Sequence, residues 1–338
     1  MSTQIKEIVI ENAPDMKGLT FRGFRGKADY PVMAEIINAA NQADGQDEIV
    51  KAEDIAINYE HIQRSDPQKD MVFIEIKGRP VGYGRCMWDM EEDRTYRYSM
   101  FVHLAPQGRG KGIGRPVMEY FLQRLTQIAE QHTDAKAKYF QTWSSDKRQW
   151  WNDMLEDLGF KKVRYGFGMR RPCDLPVEVT PLPEGIEVRP VEESHMRQIF
   201  DAEAEAFRDH WGYVAPTETD YEHWLAEPLH DPSLWKIAWD GDQVVGMVLN
   251  FINHEENETF ERQRGYTEDI SVRRPWRRQG VAQALLTRSI QMFIEMAMDE
   301  TYLGVDAENP NGALQLYTKV GYEQDKLWLT YRKEFDHA

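Results

Sequence analysis

The pattern of apolar and polar positions along the chain predicts the same order of strands and helices twice. A strand opens each half, at residues 19–25 and 186–191, and helices follow, at 30–43 and 194–207. Strand pairs around a glycine-containing turn predict hairpins at 72–85 and 236–249. Long stretches with apolar residues at helical spacing come next, at 115–130 and 282–297, and each precedes a strand, a short helix and a final strand pair. Because hairpins precede the long helices, we expect an α/β fold with a mixed, mainly antiparallel sheet in each half.

Short motifs recur between the halves at nearly constant distances. Val-Gly recurs after 164 residues (Gly82 and Gly246), the glycine-rich turns RGKGIG and RRQGVA after 168, and LGF and VGY after 162. Solenoid repeats have periods of about 20–50 residues, so this repeat indicates a duplicated domain. Prolines crowd residues 170–185 and predict an extended connector. We therefore expect domains at 16–172 and 186–338, joined by a linker at 173–185.

Composition narrows the class of protein. The 338 residues suggest about two domains, and the 41% hydrophobic and 29% charged content is typical of globular proteins. No apolar run approaches the ~20 residues of a membrane span, and the charged N-terminus does not read as a secretory signal. A net charge of −16 argues against general nucleic-acid binding and favours a cationic ligand. Two isolated cysteines, Cys86 and Cys173, indicate a reducing cytoplasm. The oligomeric state stays open between monomer and homodimer.

Each half has a glycine-containing segment between a strand that ends near a proline and the long helix. Glycine lets backbone N–H groups face one point, and a helix start adds unsatisfied donors and a positive dipole end. A pyrophosphate suits such a cradle, with arginine adding charge-assisted contacts. The alternative is a turn that only connects strand to helix. Neither segment has the spacing of a Walker A loop or the βαβ context of a dinucleotide fingerprint.

Both segments resemble the R-x-x-G-x-[GA] acyl-CoA signature of the GNAT N-acyltransferase superfamily. The resemblance covers nearly the whole chain, in the tandem arrangement that mycothiol synthase also has. It implies acetyl-CoA as the cosubstrate, without a metal, bound by the turn and by the strand before it. The binding residues that it implies are Ile270, Val272, Arg277, Arg278, Gln279, Gly280, Val281, Ala282 and Asn309 in the second half, and Arg109, Gly110, Lys111, Gly112, Ile113 and Gly114 in the first.

Acyl transfer from a thioester to an amine requires a base, an oxyanion donor and an acid for the leaving thiolate. Residues 305–324 resemble the family's N…A…L-Y-x-x-x-G-[FY] motif, which implies that Tyr317 is the acid; the alternative is a helix tyrosine that packs under Tyr322. The E-D-x-x-V pattern at Glu268 is similar to that of spermidine/spermine acetyltransferases and implies a base that acts through water. Mycothiol synthase has its glutamate at the position of Tyr266, so a solvated strand residue is the alternative. Family analogy assigns the oxyanion donor to the N–H of Ile270. Strict strand alternation places Glu268 and Ile270 on one face.

The first half departs from this pattern. A constant offset aligns Tyr98 with Tyr266 and Met100 with Glu268, and Leu155 stands where the second half has Tyr317. The base and the acid are therefore absent, whereas the turn is intact. We expect a degenerate domain that braces the second or still binds CoA. His103 lies in the same strand, but a lone strand histidine is more often structural.

An aromatic and acidic segment at 206–232 falls where GNAT domains form the acceptor wall. It offers pocket candidates, with nearby acids that suit a cation, although core packing is the alternative for the aromatic residues: Trp211, Tyr213, Tyr221, His223 and Trp224, with Glu203, Glu205 and Asp209. The leading hypothesis is a cytoplasmic tandem GNAT that acetylates a primary amine of a small molecule by direct transfer. Protein or peptide N-acetylation and a non-catalytic CoA-binding regulatory protein stay open.

Overall fold

The computed structural model describes residues 7–309 and 311–335. Residues 1–6, on which the interpretation of the N-terminus partly rests, and 336–338, where the expected second domain ends, lie outside the described residues. The chain divides into two compact units, one running to Val163 and including the segment from Leu329, the other spanning Arg164–Trp328. The domain boundaries expected near residues 172 and 186 stay a prediction. Over the described ranges, no helix has both the length and the apolar character needed to cross a bilayer.

The first unit is a sheet of mainly antiparallel strands with helices against it. Its strands are β1 (Leu19–Arg22), β2 (Met71–Ile76), β3 (Arg79–Met90), β4 (Thr95–Leu104) and β5 (Ala137–Ser145). They lie in chain order, and only the β4–β5 pair is parallel. The helices are α1 (Tyr30–Ala43), α2 (Ala52–Glu60), α3 (Pro67–Asp70), α4 (Gly114–Ala129) and α5 (Gln149–Asp157).

The second unit repeats this order. Its strands are β6 (Lys161–Pro172, from Arg164 on), β7 (Ile186–Arg189), β8 (Lys236–Asp240), β9 (Gln243–Phe251), β10 (Arg264–Val272), β11 (Glu300–Asp306) and β12 (Glu323–Glu334, as far as Trp328). The helices are α6 (Met196–Phe207), α7 (Glu218–Ala226), α8 (His254–Thr259), α9 (Val281–Glu295) and α10 (Ala313–Lys319). The strand order is β7-β8-β9-β10-β11-β6-β12, and the β10–β11 pair is parallel. The expected mixed α/β fold is confirmed. Each half of the sequence ends in one long strand, β6 in the first and β12 in the second, where we expected a pair of strands.

Helices cover both faces of the second unit's sheet. On one face α6 packs with β8 and β9 around buried Ile199, Trp235 and Trp239. On the other, α9 packs through buried Val281 and Leu285. Each fully buried aliphatic side chain contributes about 1.5–3 kcal/mol. This packing holds β10, which lies beneath the candidate site, from both sides.

The central parallel strands part in each unit. β10 and β11 pair only as far as Tyr266 and Tyr302, after which β10 continues beside β9 and β11 continues beside β6. In the first unit the β4–β5 pairing likewise ends at Ser99 and Gln141. The sheet therefore opens at the same relative position in both units.

β10 carries a bulge that the sequence pattern did not predict. Glu268 pairs with Leu249 and Ser271 pairs with Met247, so an extra residue lies on β10 between them. Asp269, within the bulge, adopts a φ of 48°. A bulge breaks the two-residue alternation and redirects side chains. Strict alternation is therefore wrong here, because Glu268 and Asp269 line the same cavity.

The bulge also shifts the correspondence between the units by one residue. β4 pairs with β3 without interruption, and Phe101 lies opposite Arg85. The Val-Gly motif recurs after 164 residues, and the same offset takes Arg85 to Leu249. Leu249 lies opposite Glu268. By strand pairing the counterpart of Glu268 is thus Phe101. The alignment with Met100 is wrong, because it ignores the extra residue in β10.

The same shift makes Ser99, and not Tyr98, the counterpart of Tyr266. Tyr266 is buried, its ring stacks on Phe251 with centroids 4.5 Å apart, and its hydroxyl donates to Glu256 at 2.6 Å. Tyr266 therefore packs in the second unit, but the halves do not share this tyrosine.

Candidate active site

A cleft lies in the second unit where β10 and β11 part. Two adjoining cavities occupy it, of about 280 Å³ and about 200 Å³. The larger, here the turn cavity, is lined by the turn before α9 and by the start of α10. The smaller, here the strand cavity, is lined by the parted strands and the region after α6. The residues that line both, and so mark their junction, are His210, Ile270, Asn309 and Tyr317.

The turn before α9 presents backbone donors to the turn cavity. Gly280 caps the helix with a φ of 91°, and Arg278 has a φ of 61°. A Cβ added at Gly280 would meet no atom within 4 Å, so the space beside it is open. Within the described ranges, no intramolecular hydrogen bond is recorded for the backbone N–H groups from Arg278 to Gln283. Open N–H groups at a helix start are the kind of donors that bind phosphate in proteins.

Arg277 braces the turn from behind. Its Nε donates to the Val272 carbonyl at 2.9 Å, and its Nη2 donates to the Ala206 carbonyl at 2.9 Å. Its Nη1 donates to Asp209 at 2.6 Å, and Arg274 also pairs with that carboxylate. These two arginines hold the pKa of Asp209 well below its usual range. The guanidinium of Arg277 therefore ties the turn to β10 and to the end of α6.

The other predicted binding residues of the second unit surround the turn cavity, with one exception. The residues that line it are Ile270, Val272, Arg278, Gly280, Val281, Ala282 and Asn309. Gln279 does not line it, and its side-chain amide donates to the Pro275 carbonyl at 2.9 Å. Their binding roles stay predictions.

Glu268 lies in the strand cavity against the parted strand β11. Its Oε1 accepts the backbone N–H of Gly304 at 2.9 Å. Burial, with a smaller effect of the neighbouring Asp269, raises the pKa of Glu268 to about 8, although the Gly304 N–H opposes this shift. The carboxyl group therefore titrates close to neutral pH, which suits proton transfer.

Asp269 lies beside Glu268 in the strand cavity, and the charge of Asp269 also acts on Glu203. Burial raises the pKa of Asp269 to about 6. Glu203, on α6, has its pKa raised well above the usual range by burial and then by the charge of Asp269, whereas the Trp224 indole opposes the shift. The strand cavity is therefore lined by two carboxyl groups with raised pKa values, those of Glu268 and Asp269.

Tyr317 stands at the junction of the two cavities. It is 5% exposed, and its ring packs edge-on to Tyr322 with centroids 6.2 Å apart. Burial and then the nearby Glu268 raise its pKa above the usual value. The hydroxyl group is therefore protonated at neutral pH, so it can donate a proton. Packing on Tyr322 and a catalytic role are compatible in this position.

A protein-family model described as the acetyltransferase (GNAT) family matches the chain over residues 33–148 and 196–322, one region in each unit. The chain belongs to the GNAT family. It is a tandem-domain acetyltransferase.

Relatives extend this result along the whole chain. The mycothiol acetyltransferase of Streptomyces scabiei is 24% identical over 331 residues, which covers 96% of this chain and 95% of the relative. That of Geodermatophilus obscurus is 23% identical over 312 residues, covering 90% and 94%. A solved GCN5-related N-acetyltransferase from Sphaerobacter thermophilus is 25% identical with a TM-score of 0.69, covering 95% of this chain and 96% of that one. Acetyl transfer to an amine is the chemistry that these findings support.

The fold of a further tandem protein agrees. The tandem GNAT protein from the clavulanic acid biosynthesis pathway superimposes with a TM-score of 0.62 at 14% identity, covering 95% of this chain and 99% of that chain. This likeness concerns the fold alone, and it supports two GNAT domains in one chain.

The first GNAT unit repeats the arginine brace. Arg109 donates to the Leu104 carbonyl at 2.9 Å, to Asp44 at 2.6 Å and to the Ala40 carbonyl at 3.2 Å. These partners match those of Arg277 in kind: the end of a strand, a carboxylate and a carbonyl of the first long helix. The motif arginine thus has the same bracing contacts in both GNAT units.

The turn of the first unit keeps its conformation. Gly110 and Gly112 have φ values of 67° and 73°, and a Cβ on either would meet no atom within 4 Å. Lys111 is exposed, whereas the side chain of Ile113 is buried. A Cβ at Gly114 would lie 3.4 Å from the side chains of Met154 and Trp151, so packing requires a small residue there.

The positions of the first unit that correspond to the predicted base and acid hold apolar residues. Leu155 is fully buried where the second unit has Tyr317, and Phe101 stands at the position of Glu268. His103 stacks on Tyr83 with centroids 5.4 Å apart. Burial and then Arg148 lower the pKa of His103 to about 3, so it stays neutral. No group in these three positions is suited to proton transfer near neutral pH.

None of the aromatic residues expected to form the acceptor wall lines the turn cavity or the strand cavity: Trp211, Tyr213, Tyr221, His223 and Trp224. Trp224 packs against Phe200, Tyr221 and Trp235, with ring centroids 5.4–6.2 Å apart. Trp211 is 38% exposed, and Arg164 lies 5.3 Å from its ring centroid. Core packing thus accounts for Trp224 and Tyr221, as the alternative reading expected.

Two residues of the site were not predicted from the sequence. His210 lines both cavities, and it follows α6, which ends at Phe207, so no helical period could have indicated it. Burial lowers its pKa, so it is mainly neutral. Asp269 escaped because the bulge that turns it into the strand cavity left no periodic signal.

Proposed function

We propose that the protein is an acetyl-CoA-dependent N-acetyltransferase that acetylates a primary amine of a small molecule by direct transfer in a ternary complex. One observation carries this proposal: a single cleft has open backbone donors at one end, Glu268 at the other and Tyr317 between them. The turn cavity would receive acetyl-CoA, and the strand cavity would receive the amine. Acetyl-CoA supplies the thioester-activated acetyl group.

Glu268 is the proposed base. Its position against β11 fixes the carboxyl group through the Gly304 N–H. With a pKa of about 8, part of the Glu268 carboxyl group is ionised near neutral pH and can accept a proton. The same pKa keeps the carboxyl group protonated after the transfer. Glu268 therefore accepts a proton from the bound ammonium group, directly or through one water molecule.

Tyr317 is the proposed acid, and Ile270 the proposed oxyanion donor. The bulge leaves Ile270 without a residue opposite it on β9, and Ile270 lines both cavities. In the balanced reaction the amine nitrogen forms a C–N bond as the C–S bond breaks. Two protons leave the ammonium nitrogen: the first passes to Glu268 before attack, and the second replaces, through solvent, the proton that Tyr317 gives to sulfur.

The first unit is proposed to be a degenerate GNAT domain, within boundaries near 16–172, with the catalytic domain at 186–338. It keeps the turn conformation, while Phe101 and Leu155 occupy the positions of the base and the acid. Its residues 109–114 are proposed to retain a CoA-binding turn without chemistry.

Two observations support a small acceptor. The mycothiol acetyltransferase relatives align over almost the whole chain. The strand cavity, at about 200 Å³, holds roughly the volume of six or seven water molecules at ~30 Å³ each. That volume accommodates an aliphatic amine.

Peptide N-acetylation is the second candidate. It is favoured by the N-alpha-acetyltransferase MAK3 of Arabidopsis thaliana, which is 32% identical over 100 residues, 30% of this chain and 50% of that protein. Because the match covers less than one unit, it supports shared acyl-transfer machinery more than a shared acceptor.

The deciding experiment measures acetyl-CoA consumption over matched panels of small amines and short peptides. We expect saturable acetylation of small amines that Glu268→Gln and Tyr317→Phe both reduce. Glu258→Gln is the matched control, because Glu258 is an exposed glutamate on α8. Turnover confined to peptides would support the second candidate, and acetyl-CoA binding without turnover of any amine would contradict the enzymatic proposal.

A further inference from the structure

The turn that follows α6 carries a histidine that lines both cavities of the cleft. α6 ends at Phe207, and His210 comes three residues later. His210 lines the turn cavity and the strand cavity, as Ile270 and Tyr317 also do. It therefore borders the junction at which, by the proposed function, the acetyl group meets the amine.

The backbone is fixed on both sides of His210. The His210 N–H donates to the Phe207 carbonyl at 2.8 Å, and the His210 carbonyl accepts the N–H of Tyr213 at 3.2 Å. The Phe207 ring and the imidazole pack edge to face with centroids 4.5 Å apart. Contacts within the protein therefore set the position of the imidazole.

The residue before His210 ties it to the turn before α9. Asp209 pairs with Arg277 at 2.6 Å, and Glu205 pairs with Arg273 at 2.7 Å. Both acids thus have an arginine partner, which corrects the expectation that they face a cationic ligand. Because Arg277 belongs to the turn that is proposed to bind acetyl-CoA, its pair with Asp209 fixes the place of His210 relative to that turn.

The ring nitrogens of His210 have no partner within the described part of the protein. Over residues 7–309 and 311–335, neither nitrogen takes part in a hydrogen bond or an ion pair. The side chain is half-buried, and buried polar groups are nearly always hydrogen-bonded. An imidazole of this kind in the wall of two cavities is open to a bound reactant.

The imidazole of His210 is mainly neutral. Burial lowers its pKa, and a neutral imidazole has one nitrogen that donates and one that accepts. Charges of both signs act on it and partly cancel, those of Asp306, Arg277, Asp209 and Arg164. His210 can therefore accept a proton from a neighbouring group.

The proposed reaction leaves one proton without a path inside the protein. Glu268 takes the first proton of the ammonium group, and Tyr317 gives its own proton to sulfur. A second proton must then leave nitrogen, and Tyr317 must regain one. His210 lines the cavity proposed for the amine as well as the cavity proposed for the thioester, so it borders both ends of this path.

We propose that His210 is a third catalytic residue, which takes the second proton from the amine nitrogen and passes it to Tyr317. This inference rests on the proposed function and adds a residue to its mechanism. After the C–N bond has formed, His210 accepts the remaining proton of the nitrogen while the C–S bond breaks and Tyr317 protonates sulfur. His210 then returns that proton to the tyrosinate, directly or through one water molecule, in place of the route through solvent. The net change is one proton moved from nitrogen to sulfur, and His210 ends neutral.

The first test is a double-mutant cycle on kcat, measured as acetyl-CoA consumption with a saturating amine. His210→Gln keeps a polar side chain that does not carry a proton at neutral pH. We expect it to lower kcat by about ten- to a hundredfold, because solvent replaces a proton-transfer group only in part, with the KM for acetyl-CoA within about twofold of wild type. In a Tyr317→Phe background the further loss should fall to about twofold or less, because the proton has no tyrosinate to return to.

His254→Gln is the matched control, since His254 is an exposed histidine at the start of α8. Its kcat should equal that of wild type. An equal loss from His210→Gln in both backgrounds would show that His210 does not act through Tyr317, and it would overturn the inference.

The second test is chemical rescue of His210→Ala, which removes the ring and leaves a space of its size. Imidazole added in solution should restore kcat to at least about a tenth of the wild-type value, because a free base of the same kind replaces the lost group. Pyrazole has the same size and shape but is far less basic, so it should restore little. Equal rescue by both compounds would mean that His210 only fills space.

These outcomes separate the inference from the proposed function. A wild-type kcat in His210→Gln, or a loss confined to KM, would overturn the role of His210 and leave the acetyltransferase proposal intact. A wild-type protein that acetylates none of the amines tested would contradict the proposed function, and the role of His210 would fall with it.

Discussion

Replacing Glu268 by glutamine should change the shape of the pH–rate profile as well as its height. Burial raises the pKa of Glu268 to about 8, and this carboxyl group acts as a base only when it is ionised. In wild type we therefore expect kcat/KM to rise about tenfold between pH 6 and 7, and about fivefold between pH 7 and 8, before it levels off. The value of kcat/KM rises with pH because the Glu268 carboxyl group is protonated below its raised pKa and cannot then act as a base.

In Glu268→Gln the reaction must use the fraction of amine that is already neutral. For an amine with a pKa of about 10.4, that fraction at pH 8 is roughly one in 250. The expected loss of about two orders of magnitude at pH 8 falls within the ~10²–10⁴ range for general bases. The loss should shrink above pH 8, and the limb should move from about pH 8 towards the amine pKa of about 10.

The assay is initial-rate acetyl-CoA consumption from pH 6 to 10 with a monoamine of known pKa, so that a second ammonium group does not complicate the profile. Glu258→Gln serves as the control for removing a surface carboxylate. Acetyl-CoA affinity should be nearly unchanged in Glu268→Gln. A variant profile that overlays the wild-type profile, or is lowered equally at every pH, would refute the assignment of Glu268 as the base.

Four further changes test other parts of the chain. Tyr317→Phe removes one hydroxyl group and should lower kcat by ~10²–10⁴ with acetyl-CoA affinity kept; wild-type turnover would make Tyr317 a packing residue. Gly280→Glu places a charged side chain in the open space beside the turn and should abolish CoA binding in the second unit, measured by calorimetry. Gly112→Glu, the corresponding change in the first unit, should leave turnover within an order of magnitude. A folded Gly112→Glu variant without any activity would contradict a passive first unit. Asp209→Asn breaks a half-buried pair with Arg277 and should cost about 2 kcal/mol of stability, between the values for exposed and buried pairs. It should also raise the KM for acetyl-CoA several-fold, and an unchanged KM would mean that the turn holds its shape without this brace.

Local signals account for what the sequence predicted correctly. The period of apolar residues placed α1 at Tyr30–Ala43 and α9 within one residue at its start and two at its end. Glycines that need a positive φ marked the turns before the long helices, since few other residues adopt that conformation readily. Recurrence of these signals after about 165 residues revealed the duplication, which the family match confirms.

Tertiary structure decided the features that depend on how separate segments meet. The bulge at Asp269 adds one residue to β10, which shifts the correspondence of the halves and turns a second carboxyl group into the cavity. The motif arginines look like ligands for phosphate in sequence, but their guanidinium groups reach across to Asp44 and Asp209. Whether a carboxyl group pairs with an arginine, as Asp209 does, or lines the cavity, as Asp269 does, depends on contacts between residues tens of positions apart. No local periodicity encodes such contacts, so the cavity lined by Glu268 and Asp269 could not be predicted from the sequence alone.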